Sequence, residues 1–419
     1  MTRQCKILYN RFRHTEENTL PIPTPFHSRQ LPLVTSQEWR EWSGYLAPIT
    51  YGPSYEYEYY AIRNAAALID VSPLFKYEIS GSDATRLANR IFTRNIEELN
   101  IGQIGYTPWC DDHGKVIDDG TVWRLEENRY RVTAADPNLR WFQDVGYAMD
   151  VEVHDVSTQY AALALQGPQA RNILMQLDQG APLKSLPYYQ LTYGETRRFP
   201  FTITRTGYTG DLGYELWVEA QHAECLWDQL MGIGQDYGLT PAGLAALDMA
   251  RVEAGLLLIE VDYISANTAL IDSQLSSPYE LGLSWTVDLD GGEFIGKQAL
   301  ITEKRKGSDW TFVGLEFEWL ELESIFKAVD LPPQVAGRAN RDPIPIYKWG
   351  EQIGQVTSRV FSPIQKKYIG LGTVETGTAK LGEMVDVEVT VEYSRQRIRA
   401  KLVKPQFFSP KRKRAVLDD

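Results

Sequence analysis

Two adjacent carboxylates sit inside an otherwise apolar strand at Asp118 and Asp119, within "DDHGKVIDDGTVWRL", residues 111–125. Residues 111–114 read as a tight turn, with Gly114 supplying the backbone freedom. Residues 116–125 are β-branched and apolar enough for a strand. Alternation puts Ile117, Asp119, Thr121 and Trp123 on one face, and Val116, Asp118, Gly120 and Val122 on the other. Both faces carry apolar neighbours, so at least one carboxylate points into a covered environment.

Other chemical candidates carry two readings each. The glycines of 207–213 are spaced G-x-x-G-x-x-G in "TRTGYTGDLGYELW". That spacing lets a backbone approach a flat ligand, or simply makes a turn around Tyr208. Glu215, between Tyr214 and Leu216, could accept hydrogen bonds from a heterocycle's amino and ring N–H groups. It could equally be an exposed strand acid paired with a lysine. Asp248, Arg251 and Glu253 share one helix, where Asp248 and Arg251, three apart, can pair on its surface and a structural ion pair is the expectation. There is no Walker loop, no G-x-G-x-x-G and no G-x-S-x-G. With five histidines, no H-E-x-x-H and no C-x-x-C, a protein-held metal is not expected.

These residues need elements to hold them. Residues 1–44 look like a Pro- and polar-rich arm lying over a domain. Residues 54–69 have helical character, and "FKYEISG" is a strand leading into a helix that opens at 82–84. The same pattern returns in "YAALALQGPQARNIL", 160–174, giving either two related α+β halves or two unrelated strand–turn–helix units. Residues 240–255 read as a helix with Thr240 as N-cap, Pro241 in the first turn and Gly255 at its end. From about 305 to 408 short strands separated by glycines and charged turns indicate a small β-barrel or sandwich. The tail "SPKRKRAVLDD" is expected to be solvated. The domains are then 1–44 (arm), 45–304 (two lobes), 305–408 (barrel) and 409–419 (basic tail).

The 419 residues suggest about two or three domains. A net charge of −12 argues against nucleic acid as a partner. Cys5, Cys110 and Cys225 are sparse and odd in number, which fits a reducing, cytoplasmic setting. No apolar run is long enough for a membrane span. The N-terminal "MTRQCKILYNRFRHT" has the basic, acid-free start of a transit peptide but lacks its serines, and an exposed arm is the simpler expectation.

Six collinear stretches resemble the glycine-cleavage T-protein (aminomethyltransferase) family of tetrahydrofolate-dependent one-carbon transferases. They are "GYTPWCDDHGKVIDDGTVWRL", "ALALQGPQA", "TRTGYTGDLGYELWVEA", "PAGLAALDMARVEAGL", "SPYELGLSWTVDLDGGEFIGKQAL" and "GQVTSRVFSP". The resemblance implies an α+β fold: a three-lobed disc with two related α+β lobes, a C-terminal β-barrel-like domain, and folate in a central channel. It implies that Asp119 is the catalytic acidic residue beside the reacting folate nitrogens. It also implies that Tyr106, Tyr208 and Glu215 bind folate, Glu215 facing the pterin edge. A partly desolvated carboxylate there can orient an amine, accept its proton or stabilise developing positive charge. Asp118 is then structural, hydrogen-bonded to turn or strand amides.

The chain departs from the family's pattern on the donor side. Leu247 stands where an arginine precedes the aspartate of the "PAGL" helix. Ser72-Pro73-Leu74-Phe75 replaces the usual Ser-His-Met-Gly, and Thr133 replaces an asparagine. A longer "LIEVDYISANTALIDSQLSSPYE" follows "EAGL". The expectation is therefore a demethylase that moves a methyl group from a small N-, O- or S-methylated donor to tetrahydrofolate. The alternatives are an aminomethyltransferase working on a lipoylated carrier protein and a non-enzymatic folate-binding accessory protein. The accessory branch carries a cysteine motif near "FIGKQAL" that this chain lacks.

Overall fold

The turn before the paired aspartates forms as its residues demand. The Asp111 carboxylate accepts from the backbone N–H groups of His113 and Lys115, both at 2.9 Å, and Gly114 takes φ +73°. The computed structural model describes residues 20–178, 180–335 and 337–416. The basic N-terminal stretch and Cys5 lie outside them. After the turn, strand Val116–Glu126 runs between Ile104–Cys110 and Arg129–Ala134, and Phe75–Ser80 and Glu152–Asp155 complete a five-stranded sheet. Helices Ala84–Ile91 and Leu139–Val145 cover its outer face over Tyr77, Leu87, Trp109, Val122 and Phe142.

A second sheet has the order Leu191–Glu195, Pro200–Thr204, Gly213–Glu219, Tyr160–Gln166, Ala66–Asp70, Leu239–Pro241. Helices Ala170–Leu177 and Ala223–Gly234 pack on it. The two sheets meet through a shared core in which Trp123 and Trp217 stack edge to face, 4.9 Å between centroids.

The repeated strand–turn–helix pattern is two copies of one local geometry. Gly81 and Gly167 take φ +126° and +127°, and each backbone carbonyl accepts from the alanine three residues on, at 3.1 and 3.0 Å. A Cβ would lie 2.4 Å from the Asp150 carbonyl oxygen at Gly81 and 2.7 Å from that of Ala65 at Gly167. Only glycine fits either place.

The halves also exchange strands. Ala66–Asp70 directly precedes the first sheet's Phe75–Ser80, yet it pairs with Tyr160–Gln166 in the second. Glu152–Asp155 directly precedes Tyr160–Gln166, yet it pairs with Phe75–Ser80 in the first.

The C-terminal strands Trp310–Phe317, Lys367–Glu375, Glu351–Ser362, Ile344–Lys348, Met384–Val391 and Ser394–Val403 close into a barrel in that order. Its interior holds Leu315, Ile346, Val356, Val387 and Leu402.

Several expectations need correction. The helix expected over 54–69 stops at Asn64, and Ala66–Asp70 is a fully buried strand. Central pairing on both sides overrides the helical propensity of its alanines. The helix expected from 240 starts at Leu244, because Leu239–Pro241 pairs in parallel with Ala66–Leu68. It ends as expected, with Gly255 at φ +68°. A bulge between Trp109 and Cys110 resets the aspartate strand, so Val116 packs with Trp123 and Ile117 with Val122. Alternation therefore describes 118–123 but not 116–117.

The expected solvated tail is instead docked. The guanidinium of Arg412 grips the buried Asp211 carboxylate at 2.6 and 2.8 Å. Arg205 and Arg171 donate to the Ala415 carbonyl at 2.7 and 3.1 Å.

Candidate active site

The aspartate hairpin projects two chemistries to its two faces. On the outer face Asp118 is fully buried. It accepts from the backbone N–H of Asp119 (2.7 Å), the backbone N–H of Asp136 (3.0 Å) and the Asn138 amide (2.9 Å). Those bonds are the amide contacts expected of a structural residue. Burial and the neighbouring Asp119 charge push its carboxyl well above the usual carboxylate range.

On the inner face Asp119 is only partly covered. Tyr106 lies diagonally across the ladder from it and donates its phenol to Oδ2 at 2.6 Å. Tyr263, from the loop after the helix Leu244–Ala254, donates to Oδ1. Burial raises the Asp119 carboxyl, and the two phenols draw it part of the way back. Burial first, then the Asp119 charge, lifts both phenols far above their ordinary value, so they remain proton donors.

Glu215 and Tyr208 arrive from the second sheet. Glu215 sits on the central strand Gly213–Glu219, where Thr206 donates to Oε2 at 2.9 Å and Thr204 at 3.4 Å. Burial raises its carboxyl. Hydrogen bonds from Thr206, Thr204 and Trp217 pull against that rise, and among the described residues the lysine partner expected of an exposed strand acid is not found. Tyr208 donates to the Leu257 carbonyl. Burial and the nearby charges of Asp262 and Asp119 raise its phenol against the opposing pull of Arg251.

The glycines flanking Tyr208 have a reason the sequence did not reveal. A Cβ on Gly207 or Gly213 would come within 2.2 Å of the Gln166 side chain. The backbone approaches a buried glutamine of its own chain there, and Thr209 donates to that amide at 2.8 Å.

Three further side chains line the same region and were not foreseen. Tyr189 takes the left-handed conformation at φ +62°, a strain of about 1 kcal/mol for a tyrosine. It bridges the two sheets, its N–H donating to the Arg205 carbonyl at 3.1 Å and its carbonyl accepting from Ile104 at 2.9 Å. Trp285 stacks on Tyr106 at 5.9 Å with 23° between planes, and Arg94 lies over Trp285 at 5.5 Å. Trp285 lies in the stretch "SPYELGLSWTVDLDGGEFIGKQAL" that resembles the family, so its neighbourhood was visible in the sequence though its stacking was not. Nothing in the residue pattern pointed to Tyr263.

Behind Tyr263 the expected Asp248–Arg251 ion pair is present, as part of a larger buried charge network. Arg251 is fully buried and donates to Asp248 (2.7 Å), to Ser358 of the barrel (2.7 Å) and to Asp262. Asp262 also accepts from Thr357 at 2.5 Å and Ser358 at 2.8 Å. Arg341 closes the other side of Asp248 at 2.8 Å. Glu253 is also buried, held by Tyr59 at 2.5 Å and Arg63 at 2.7 Å. Leu247 packs in the apolar core of the same helix. Among the described residues no three His, Cys, Asp or Glu side chains are placed to hold a metal ion. None of the described helices is long and apolar enough to cross a membrane.

Comparison with known proteins fits this geometry. Residues 35–291 match the GCVT N-terminal domain, and residues 331–409 match the glycine cleavage T-protein C-terminal barrel domain. The chain belongs to the glycine-cleavage T-protein family. It is accordingly a folate-dependent methyl- or aminomethyltransferase, and the accessory-protein alternative falls away. Among T-protein relatives, the aminomethyltransferase of Halothermothrix orenii is 36% identical over 83% of this chain and 91% of its own. That of Desulforamulus reducens is 33% identical over 92% and 97%. A trimethylamine-oxide aldolase of Ruegeria pomeroyi is 32% identical over 85% of this chain and 43% of its own. The crystal structure of the glycine cleavage aminomethyltransferase T of Bartonella henselae shares the fold, with a TM-score of 0.78 at 24% identity. That match covers 93% of this chain and 98% of the Bartonella one.

Proposed function

We propose that this T-protein is a demethylase that moves a methyl group from a small N-, O- or S-methylated donor to tetrahydrofolate, with Asp119 as the reacting carboxylate. Tyr106, Tyr208 and Glu215 would bind the folate. The donor set fits a reduced pterin: Glu215 is a buried carboxylate with no cationic partner among the described residues, and its unused lone pairs suit paired N–H groups. Tetrahydrofolate supplies the nitrogen that accepts the one-carbon unit. The chain's own residues hold the Asp119 carboxylate between two phenols, each oxygen keeping a lone pair for a ligand. There it can take the proton that nitrogen loses or face developing positive charge. Placing the two reactants against each other supplies much of the rate.

The observation that carries the demethylase reading is the loop bearing Tyr263, a stretch that departs from the aminomethyltransferase pattern and caps Asp119 directly. Leu247 removes an arginine from the same side. The trimethylamine-oxide aldolase relative is named for a small methylated amine oxide, in line with such a donor. The aminomethyltransferase names of the more similar relatives favour the second reading, transfer from a lipoylated carrier protein. We assign residues 45–304 to the folate-binding unit and 305–408 to the barrel. The free thiols Cys110 and Cys225 support a cytoplasmic setting.

Mass spectrometry of the folate product separates the two readings. Incubation with tetrahydrofolate and a pool of methylated amines, sulfonium compounds, thioethers and methoxy-aromatics is expected to give 5-methyltetrahydrofolate. Formation of 5,10-methylenetetrahydrofolate only with an aminomethyl-lipoyl carrier would establish the second reading instead.

A further inference from the structure

We propose that Tyr263 is a positioning residue that keeps Asp119 ionised and fixed in orientation, an inference that rests on Asp119 being the reacting carboxylate. Neither the family pattern nor the spacing of residues assigns it this work. Its phenol is the second of two donors on Asp119, the first being Tyr106 from the neighbouring strand.

The mount of Tyr263 is rigid. The residue is 3% exposed, and its carbonyl accepts from the Glu260 N–H at 2.7 Å. Asp262, next to it, is tied to the helix through Arg251 and to the barrel through Thr357 and Ser358. On the other side Ser265 donates to the Ile117 carbonyl at 2.6 Å, and Ala266 N–H to that of Val116 at 2.8 Å. Val116 returns a bond to Ser276 at 2.9 Å. The loop is thus fastened to the bulged start of the aspartate strand. Helix, barrel and strand together fix where the phenol points, and an aromatic side chain so held has little entropy left to lose.

The charges facing Asp119 explain why a second donor matters. Asp262 lies behind the loop and disfavours a second negative charge, while Asp118, on the same strand, faces the other way. Arg251 is already bonded to Asp248 and Asp262. Tyr106, Tyr208 and Tyr263 are the remaining titratable groups, and they stay protonated. A carboxylate so placed is kept charged by the hydrogen bonds it accepts. Without the Tyr263 phenol, Asp119 protonates at higher pH, and its capacity to take a proton is lost first at the acid end. Folate affinity, which the proposal assigns to Tyr106, Tyr208 and Glu215, should not change.

The test is Tyr263→Phe. With tetrahydrofolate and the donor found by product analysis, kcat should fall roughly tenfold more at the acid end of the profile than at the alkaline end. KM for folate should stay within about twofold. An equal loss at every pH, or an effect confined to KM, would overturn the proposal. Carbon-13 titration of labelled aspartate carboxyls, with Asp119→Asn to assign the signal, reads the same quantity without turnover. The Asp119 midpoint should rise in Tyr263→Phe and fall when fluorotyrosine, a stronger donor, replaces Tyr263. A midpoint unmoved by either change sinks the role of Tyr263, whichever donor proves right. Moved midpoints together with unchanged turnover in Asp119→Asn would instead leave the brace standing and remove Asp119 from the chemistry.

Discussion

Asp119→Asn keeps the shape of the carboxylate and its place between two phenols but can no longer take a proton. Turnover is expected to drop at least ~100-fold with tetrahydrofolate affinity nearly unchanged, the scale of a positioned proton-transfer group. Isothermal titration beside a product assay separates the two quantities, and turnover within a few-fold of the parent would remove Asp119 from the chemistry. Glu215→Ala should act the other way round. A ligand N–H left without its acceptor weakens binding by about 1–3 kcal/mol, so equal affinity in parent and variant would dismiss Glu215 as a folate contact. Both carboxylates could be singled out as candidates because each lies in a short stretch with a family-specific pattern. Tyr263 could not, since its partner is far away in sequence and reached through a loop that follows no pattern. Arg251 was read only in part for a related reason: helix spacing finds the Asp248 pair but cannot see the barrel that buries it.

Glycine makes the element scale testable. Gly167→Ala places a Cβ 2.7 Å from the Ala65 carbonyl oxygen at φ +127°, and should cost about 2 kcal/mol of stability. Gly232, inside helix Ala223–Gly234, has nothing within 4 Å of the same position, so Gly232→Ala should be neutral or stabilise by up to about 1 kcal/mol. Urea midpoints of the two variants check both statements, and equal midpoints would mean the repeated turn is not strained. The strands of the barrel and the two α+β halves were readable from alternation and turn residues, because half-buried strands write their faces into the sequence. Ala66–Asp70 was not: buried on all sides, it shows no alternation, and its alanines suit a helix equally well. The register of Val116 and Ile117 was hidden because a bulge leaves no local mark.

At the scale of the molecule, the barrel is clamped to the two lobes by buried charge. Arg251 touches Asp248, Asp262 and Ser358 at once, so Arg251→Leu leaves Asp262 without its cation in a dry interior and Asp248 with Arg341 alone. We expect a loss of about 3 kcal/mol or more, seen as a lower denaturation midpoint; a shift under ~1 kcal/mol would mean that water reaches the network. The exchange of strands between the lobes has a different consequence, one for the order in which the chain is made. Ala66–Asp70 leaves the ribosome early, but its neighbours Tyr160–Gln166 and Leu239–Pro241 are synthesised much later. The first lobe acquires its last strand, Glu152–Asp155, just before Tyr160–Gln166, the next strand of the second sheet, appears. A nascent chain halted between the lobes therefore carries a finished sheet and an orphaned, largely apolar strand with both edges bare. Such an edge is a template for other chains, which makes the interval between the lobes the point in synthesis where this protein most needs a chaperone.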